Sequence, residues 1–127
     1  MQEQLDTAGE FSLVRRARSF VHAGRGIWVF LKTTPNAWIE ITIFIGAVAA
    51  GIVVGLTYIE WILLVFAAGF VLVSEAFNTA IEIDINLTSP EYHPYAKDTK
   101  DVAAGAVLIA SITALIIGLA IFGHHLL

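Results

Sequence analysis

Ser74-Glu75-Ala76-Phe77-Asn78-Thr79-Ala80-Ile81-Glu82 sets two carboxylates and an amide inside a long apolar segment. Charged side chains are costly in a membrane-spanning helix, where they face a bundle interior or a pathway. At about 100° per residue, Glu75, Asn78, Thr79, Glu82 and Asn86 fall within an arc of roughly 100°. One face of one apolar helix is therefore polar and acidic. Such a face suits cation binding or the removal of a proton. The structural alternative is an interhelical polar contact that holds an oligomer together. Two carboxylates and an amide on one stripe favour the chemical reading.

The rest of the chain makes this stripe a membrane feature. Of its 127 residues, 57% are hydrophobic, and the mean hydropathy is +0.79. These values exclude an ordinary soluble domain, and the length leaves room for a single domain over residues 1–127. There is no cysteine, hence no disulfide or thiolate chemistry. The net charge of −4 decides little, because the charges are segregated along the chain. A cleaved signal peptide is not expected: the first apolar run starts near Ile39, behind polar or amphipathic sequence.

The spacing predicts an all-α membrane protein. Met1 to Glu10 has no apolar period and reads as a frayed tail. Over residues 11–31, Phe11, Val14, Phe20, Val21, Gly24, Trp28 and Leu31 alternate with Arg15, Arg16, Arg18 and Arg25. This is the pattern of a basic amphipathic helix lying in the membrane interface. Thr33-Thr34-Pro35-Asn36 interrupts it, because Pro35 disfavours helical geometry at Thr34. Transmembrane helices are expected over 38–58, 61–85 and 102–122, each close to the roughly 20 apolar residues that span the bilayer core. Thr57-Tyr58-Ile59-Glu60 is a short turn, and residues 86–101 a polar loop containing Pro90 and Pro94.

All seven basic residues lie before the first span or in the second loop. By the positive-inside rule, the N-terminus and the second loop face the cytoplasm and the C-terminus faces outward. Glu75 then sits in the cytoplasmic third of the bilayer, about 21 Å along the helix from Trp61. Glu75, Asn78, Glu82, Lys100 and Asp101 gather toward the inner surface. Acidic residues there suit a metal–nucleotide complex, and a deeper carboxylate suits a reacting group on a lipid. Gly51-Ile52-Val53-Val54-Gly55, and Ala106, Ala110, Ala114 and Gly118, offer small-residue faces for close packing. Three spans alone hardly enclose such a site, so a homo-oligomer is expected.

Phosphate loops, dinucleotide fingerprints, HExxH and paired CxxC motifs are absent, and the four histidines show no metal-ligand spacing. There is no nucleic-acid signature. The arginines suit anionic headgroups or a phosphate ligand.

Glu75-Ala76-Phe77-Asn78-Thr79-Ala80-Ile81-Glu82 resembles the E-A-x-N-T-A-I-E signature of the small prokaryotic diacylglycerol kinase and undecaprenol kinase family. Lys100-Asp101-Val102-Ala103-Ala104-Gly105-Ala106-Val107-Leu108 and the loop Glu91-Tyr92-His93 resemble it too. The likeness extends over residues 11–122. It implies a homotrimeric lipid kinase of the bacterial cytoplasmic membrane that phosphorylates a lipid alcohol with Mg²⁺ and ATP. The wording of the motifs favours undecaprenol over diacylglycerol. By the same resemblance, Glu75 is the general base and Asn78 supports the site. Glu82 is a magnesium ligand. Arg15, His22, Glu91, Tyr92, His93, Lys100 and Asp101 contact the nucleotide.

The sequence also departs from the family. A second metal carboxylate is common at the end of the surface helix, where this chain has Thr34. The aspartate that often follows the signature is Asn86, with Asp84 two positions earlier. Three readings stand: magnesium held by fewer protein ligands and more water, substitution by Glu40 or Asp84, or a weakened or lost activity. The rival from another class is a non-catalytic small membrane oligomer or transporter subunit. A transporter would need polar groups continuing toward the outer face. The first span has only Thr42 after Glu40, and none lies between Trp61 and Val73.

Overall fold

A computed structural model describes the backbone from Gln2 to Leu127 and the side chains from Ser12 onward. Among the described residues the chain forms four helices: α1 (Gln2–Thr33), α2 (Pro35–Val54), α3 (Tyr58–Thr88) and α4 (Pro94–Leu126). Helices α2, α3 and α4 are long and apolar enough to cross a membrane. Helix α1 is not, and Phe20, Val21 and Trp28 on it are exposed, as befits an amphipathic helix with an apolar side open to an interface.

The helices begin and end where local chemistry dictates, not where the apolar runs stop. Helix α1 extends back to Gln2 instead of fraying before Phe11, although the side chains of that stretch lie outside the described residues. Thr34 alone separates α1 from α2, at φ −120° and ψ 92°, with Pro35 at the first turn of α2. Proline is tolerated there because its missing N–H has no helical partner anyway. The corner is fastened by Trp38, whose Nε1 donates to the Leu31 carbonyl at 2.6 Å.

The turn expected at Thr57–Glu60 falls instead at Gly55–Thr57. Gly55 closes α2 in the left-handed region at φ 75°, a conformation open to glycine without steric cost. Thr57 and Glu60 then form a reciprocal capping box that starts α3 at Tyr58. Gly51 serves this corner as well. A Cβ there would lie 2.7 Å from Leu56 Cδ1 and 2.8 Å from Trp61 Cη2. Gly51 thus makes room for Leu56 of the corner and for Trp61 of α3, while Gly55 ends α2. The second loop shrinks to Ser89–His93, because Asn86 stays in α3 and the segment from Pro94 to Asp101 opens α4. His93 caps α4, its Nδ1 accepting from Tyr95 N–H at 3.1 Å.

Helix α4 packs along α3 more extensively than any other pair, and α2 packs on α3 less closely. Alanine allows the close approach: Ala103 and Ala110 are buried on α4. Leu56, Leu64 and Ile121 form a small core near the α2–α3 corner, with Phe44, Trp61 and Phe122 around it. The inward face of α3 runs Leu64, Ala67, Val71, Glu75 and Thr79, a spacing of three or four residues that keeps one side of a helix. Most other large apolar side chains point outward, Val53, Phe66 and Ile116 among them. In a bilayer they face lipid or a second subunit.

Candidate functional site

The inward face of α3 turns from apolar to polar at Glu75, which is only 3% exposed. Its carboxyl faces that of Glu40 on α2. Glu40 Oε2 is buried and has no hydrogen-bond partner. One turn beyond Glu75, Thr79 meets Thr34 from the α1–α2 corner, with the two Oγ1 atoms 2.6 Å apart and both side chains buried. Toward the loop, Asn78 Nδ2 donates to Glu82 Oε1 at 3.3 Å, while Asn78 Oδ1 is buried without a partner. At the end of the stripe, Lys100 Nζ on α4 donates to Asn86 Oδ1 at 2.6 Å. From Glu75 to Asn86 the stripe is about 16 Å long. A buried carboxylate stands at one end and a cation at the other.

The chain has extensive relatives. Residues 21–122 match the prokaryotic diacylglycerol kinase family. The chain belongs to this family. A protein from Bacillus subtilis named undecaprenol kinase is 41% identical over 110 residues, covering 87% of this chain and 89% of that protein. A diacylglycerol kinase of Synechocystis is 36% identical over 101 residues, covering 79% of this chain and 58% of its own. One from Helicobacter pylori is 31% identical over 125 residues, covering 93% and 94%. The protein is therefore an integral membrane lipid kinase.

In this kinase the residues singled out by sequence divide into three groups. Glu75, Asn78, Glu82 and Lys100 lie along one stripe, and Thr34 from the α1–α2 corner and Glu40 from α2 close on it. Asp101 pairs instead with Lys97 in an exposed ion pair of 2.6 Å. His93 serves as the α4 cap, while Tyr92 and Glu91 project from the loop, Tyr92 being 80% exposed. Arg15 and His22 lie seven residues apart on the exposed length of α1, hence on one side of that helix. Along the helix they stand about 28 and 18 Å from Thr34.

Asp84 does not join the group. It is about 180° around α3 from Glu75 and about 200° from Glu82. Glu40 is inside the site, but it faces Glu75 rather than Glu82. The Thr34 side chain is engaged by the Thr79 hydroxyl.

The donor atoms that remain fit magnesium. Glu82 offers a carboxylate, and Asn78 an unpartnered buried carbonyl oxygen beside it. Both are hard oxygen donors. Among the described residues no three His, Asp or Glu side chains are grouped to hold a metal ion. Protein ligands would accordingly be few, with phosphate and water oxygens completing the shell, an arrangement magnesium commonly adopts.

Two pairings escaped sequence reasoning at the site. Thr34 with Thr79, and Glu40 with Glu75, join residues 45 and 35 positions apart on different helices. A third lies at the opposite end. His125 Nε2 is 2.9 Å from Glu60 Oε2 and ties the end of α4 to the capping box of α3. Sequence spacing gives His125 no partner, since Glu60 lies 65 positions away. Only helix packing brings these partners together.

Proposed function

We propose that this kinase transfers the γ-phosphoryl group of ATP to undecaprenol, with diacylglycerol the next candidate acceptor, at the cytoplasmic face of the bacterial inner membrane. The observation that carries the reading is the burial of Glu75 where the inward face of α3 turns polar. The choice of undecaprenol rests on the Bacillus relative, the most similar of the three described above. An apolar groove of about 620 Å³ between α2, α3 and α4 supports a lipid acceptor. Glu40 lines it, and Glu40 in turn faces Glu75. A hydroxyl carried to Glu75 would have its tail in apolar surroundings.

The mechanism follows from positioning and charge neutralisation, which carry most of the catalysis in phosphoryl transfer. Glu75 accepts the proton of the lipid hydroxyl as that oxygen forms its bond to the γ-phosphorus. The bond from the γ-phosphorus to the bridging oxygen breaks, and ADP leaves. Glu82 and Asn78 would hold Mg²⁺, which when bound neutralises phosphate charge. Lys100, held by Asn86, adds a cation on the phosphate side. Asp101, Arg15 and His22 of α1, and Glu91, Tyr92 and His93 of the loop, complete the nucleotide contacts.

The basic residues support a cytoplasmic N-terminus and second loop, with the C-terminus outside. A homotrimer supplies the remaining walls. The large exposed apolar side chains of α3, Phe66 and Phe77 among them, suit contact with a second subunit.

The test is phosphorylation by the purified protein of undecaprenol and diacylglycerol, side by side, with labelled ATP. Incorporation into undecaprenol at the higher kcat/KM is expected. Faster diacylglycerol phosphorylation would reverse the substrate order. No transfer to either would leave a non-catalytic family member.

A further inference from the structure

Thr34 and Thr79 each forgo the bond that their local position offers. Thr34 is the N-cap of α2, yet its side chain makes no capping bond, although threonine at that position usually accepts from a first-turn N–H. Thr79 is inside α3, where Ser74 and Thr88 bond the carbonyl four residues back at 2.9 and 2.8 Å. The Thr79 hydroxyl instead meets Thr34 Oγ1 at 2.6 Å, with both residues buried. Thr79 stands between Glu75 and Glu82 on the polar stripe. Thr34 is the single residue between α1 and the membrane bundle.

We propose that the Thr34–Thr79 hydroxyl pair is a positioning clamp that fixes the direction of α1 relative to the carboxylates of α3, and thereby the binding of Mg-ATP. The inference rests on the reading of this protein as a lipid kinase whose α1 contacts the nucleotide. Geometry gives the clamp its leverage. Arg15 and His22 lie about 28 and 18 Å up α1 from the clamp, so a small rotation at Thr34 moves both by a large arc. Trp38 holds the same corner from the other side through the Leu31 carbonyl. That bond joins α2 to α1 alone, whereas the Thr34–Thr79 pair joins the corner to α3. Both threonines act through other groups and touch no reacting atom.

The experiment is steady-state kinetics of Thr34→Val, Thr79→Val, the double variant, and Thr34→Ser and Thr79→Ser, with Mg-ATP and lipid varied separately. Each single valine variant leaves one buried hydroxyl without a partner. Its KM for Mg-ATP is expected to rise about ten-fold, with kcat within about two-fold and the lipid KM unchanged. The double variant leaves no orphan hydroxyl, so it folds even where a single variant does not. It still lacks the clamp, and its KM for Mg-ATP should stay raised. The serine variants keep the hydroxyls and should restore the wild-type KM. A merely structural pair would lower the active fraction, reducing kcat at constant KM. That result, or a wild-type KM in the double variant, overturns the proposal. An inactive wild-type protein would instead overturn the kinase reading.

Discussion

Lys100 Nζ donates to Asn86 Oδ1 at 2.6 Å, joining the first turns of α4 to the last turns of α3. The partner is a neutral amide, so the lysine charge is held in place without being cancelled. This is the property wanted of a group that meets phosphate.

Removing that charge should therefore cost more than removing its holder. Lys100→Ala is expected to lower kcat/KM for ATP by about 10²-fold, since hydrogen bonds to charged groups contribute about 1.5–3 kcal/mol. Asn86→Ala leaves the lysine in place but less fixed, and should cost a few-fold. Equal losses would mean that Lys100 is only a helix–helix contact.

The separation of Glu40 from Glu82 predicts different responses to magnesium. Glu82→Gln should raise the magnesium concentration for half-maximal activity by at least about ten-fold, because one charged oxygen ligand is lost. Glu40→Gln should leave that concentration unchanged, whatever it does to turnover. A rightward shift in Glu40→Gln would make Glu40 the substitute ligand after all.

Thr34→Glu places a carboxylate where the resemblance to the family implies one. It adds an anionic oxygen on the Glu82 side of the stripe but breaks the hydroxyl pair. The magnesium needed for half-maximal activity should fall, and the KM for Mg-ATP should rise. Magnesium titration at saturating ATP, followed by ATP titration at saturating magnesium, separates the two. An unchanged magnesium requirement would mean that water or Asn78 already fills the position.

Gly51 tests the fold apart from the chemistry. A methyl group at Gly51→Ala would overlap Leu56 and Trp61. Overpacking of this kind costs about 1–3 kcal/mol. The variant should melt at a lower temperature in detergent yet keep the wild-type KM for both substrates. A wild-type melting temperature would show that the corner relaxes around the methyl group.

The architecture was legible because a bilayer imposes lengths and hydropathy that sequence displays directly. The stripe was legible for the same reason: Glu75, Asn78, Thr79, Glu82 and Asn86 share one helix, so angular spacing alone aligns them. The ends of helices were less so. Tyr58–Glu60 read as a turn because the polar run looked like a break, whereas Thr57 and Glu60 cap α3. Gly51 does give the close approach that the GxxxG spacing suggested, against Trp61 of α3, but the spacing does not reveal that its second glycine ends the helix. Thr34–Thr79, Glu40–Glu75 and Glu60–His125 were invisible. Each needs two helices in register, and no spacing within one helix reports that.

Glu75 is proposed as the base that activates the lipid hydroxyl. The most direct measurement is transfer of labelled phosphate from ATP to undecaprenol by wild type and Glu75→Gln, in detergent, with oligomeric state checked on the same samples. Glutamine keeps the shape and removes the proton acceptor. The predicted result is a fall in kcat of about 10²- to 10⁴-fold, with unchanged assembly and an unchanged KM for Mg-ATP. A Glu75→Gln protein that turns over within a few-fold of wild type would rule out Glu75 as the base.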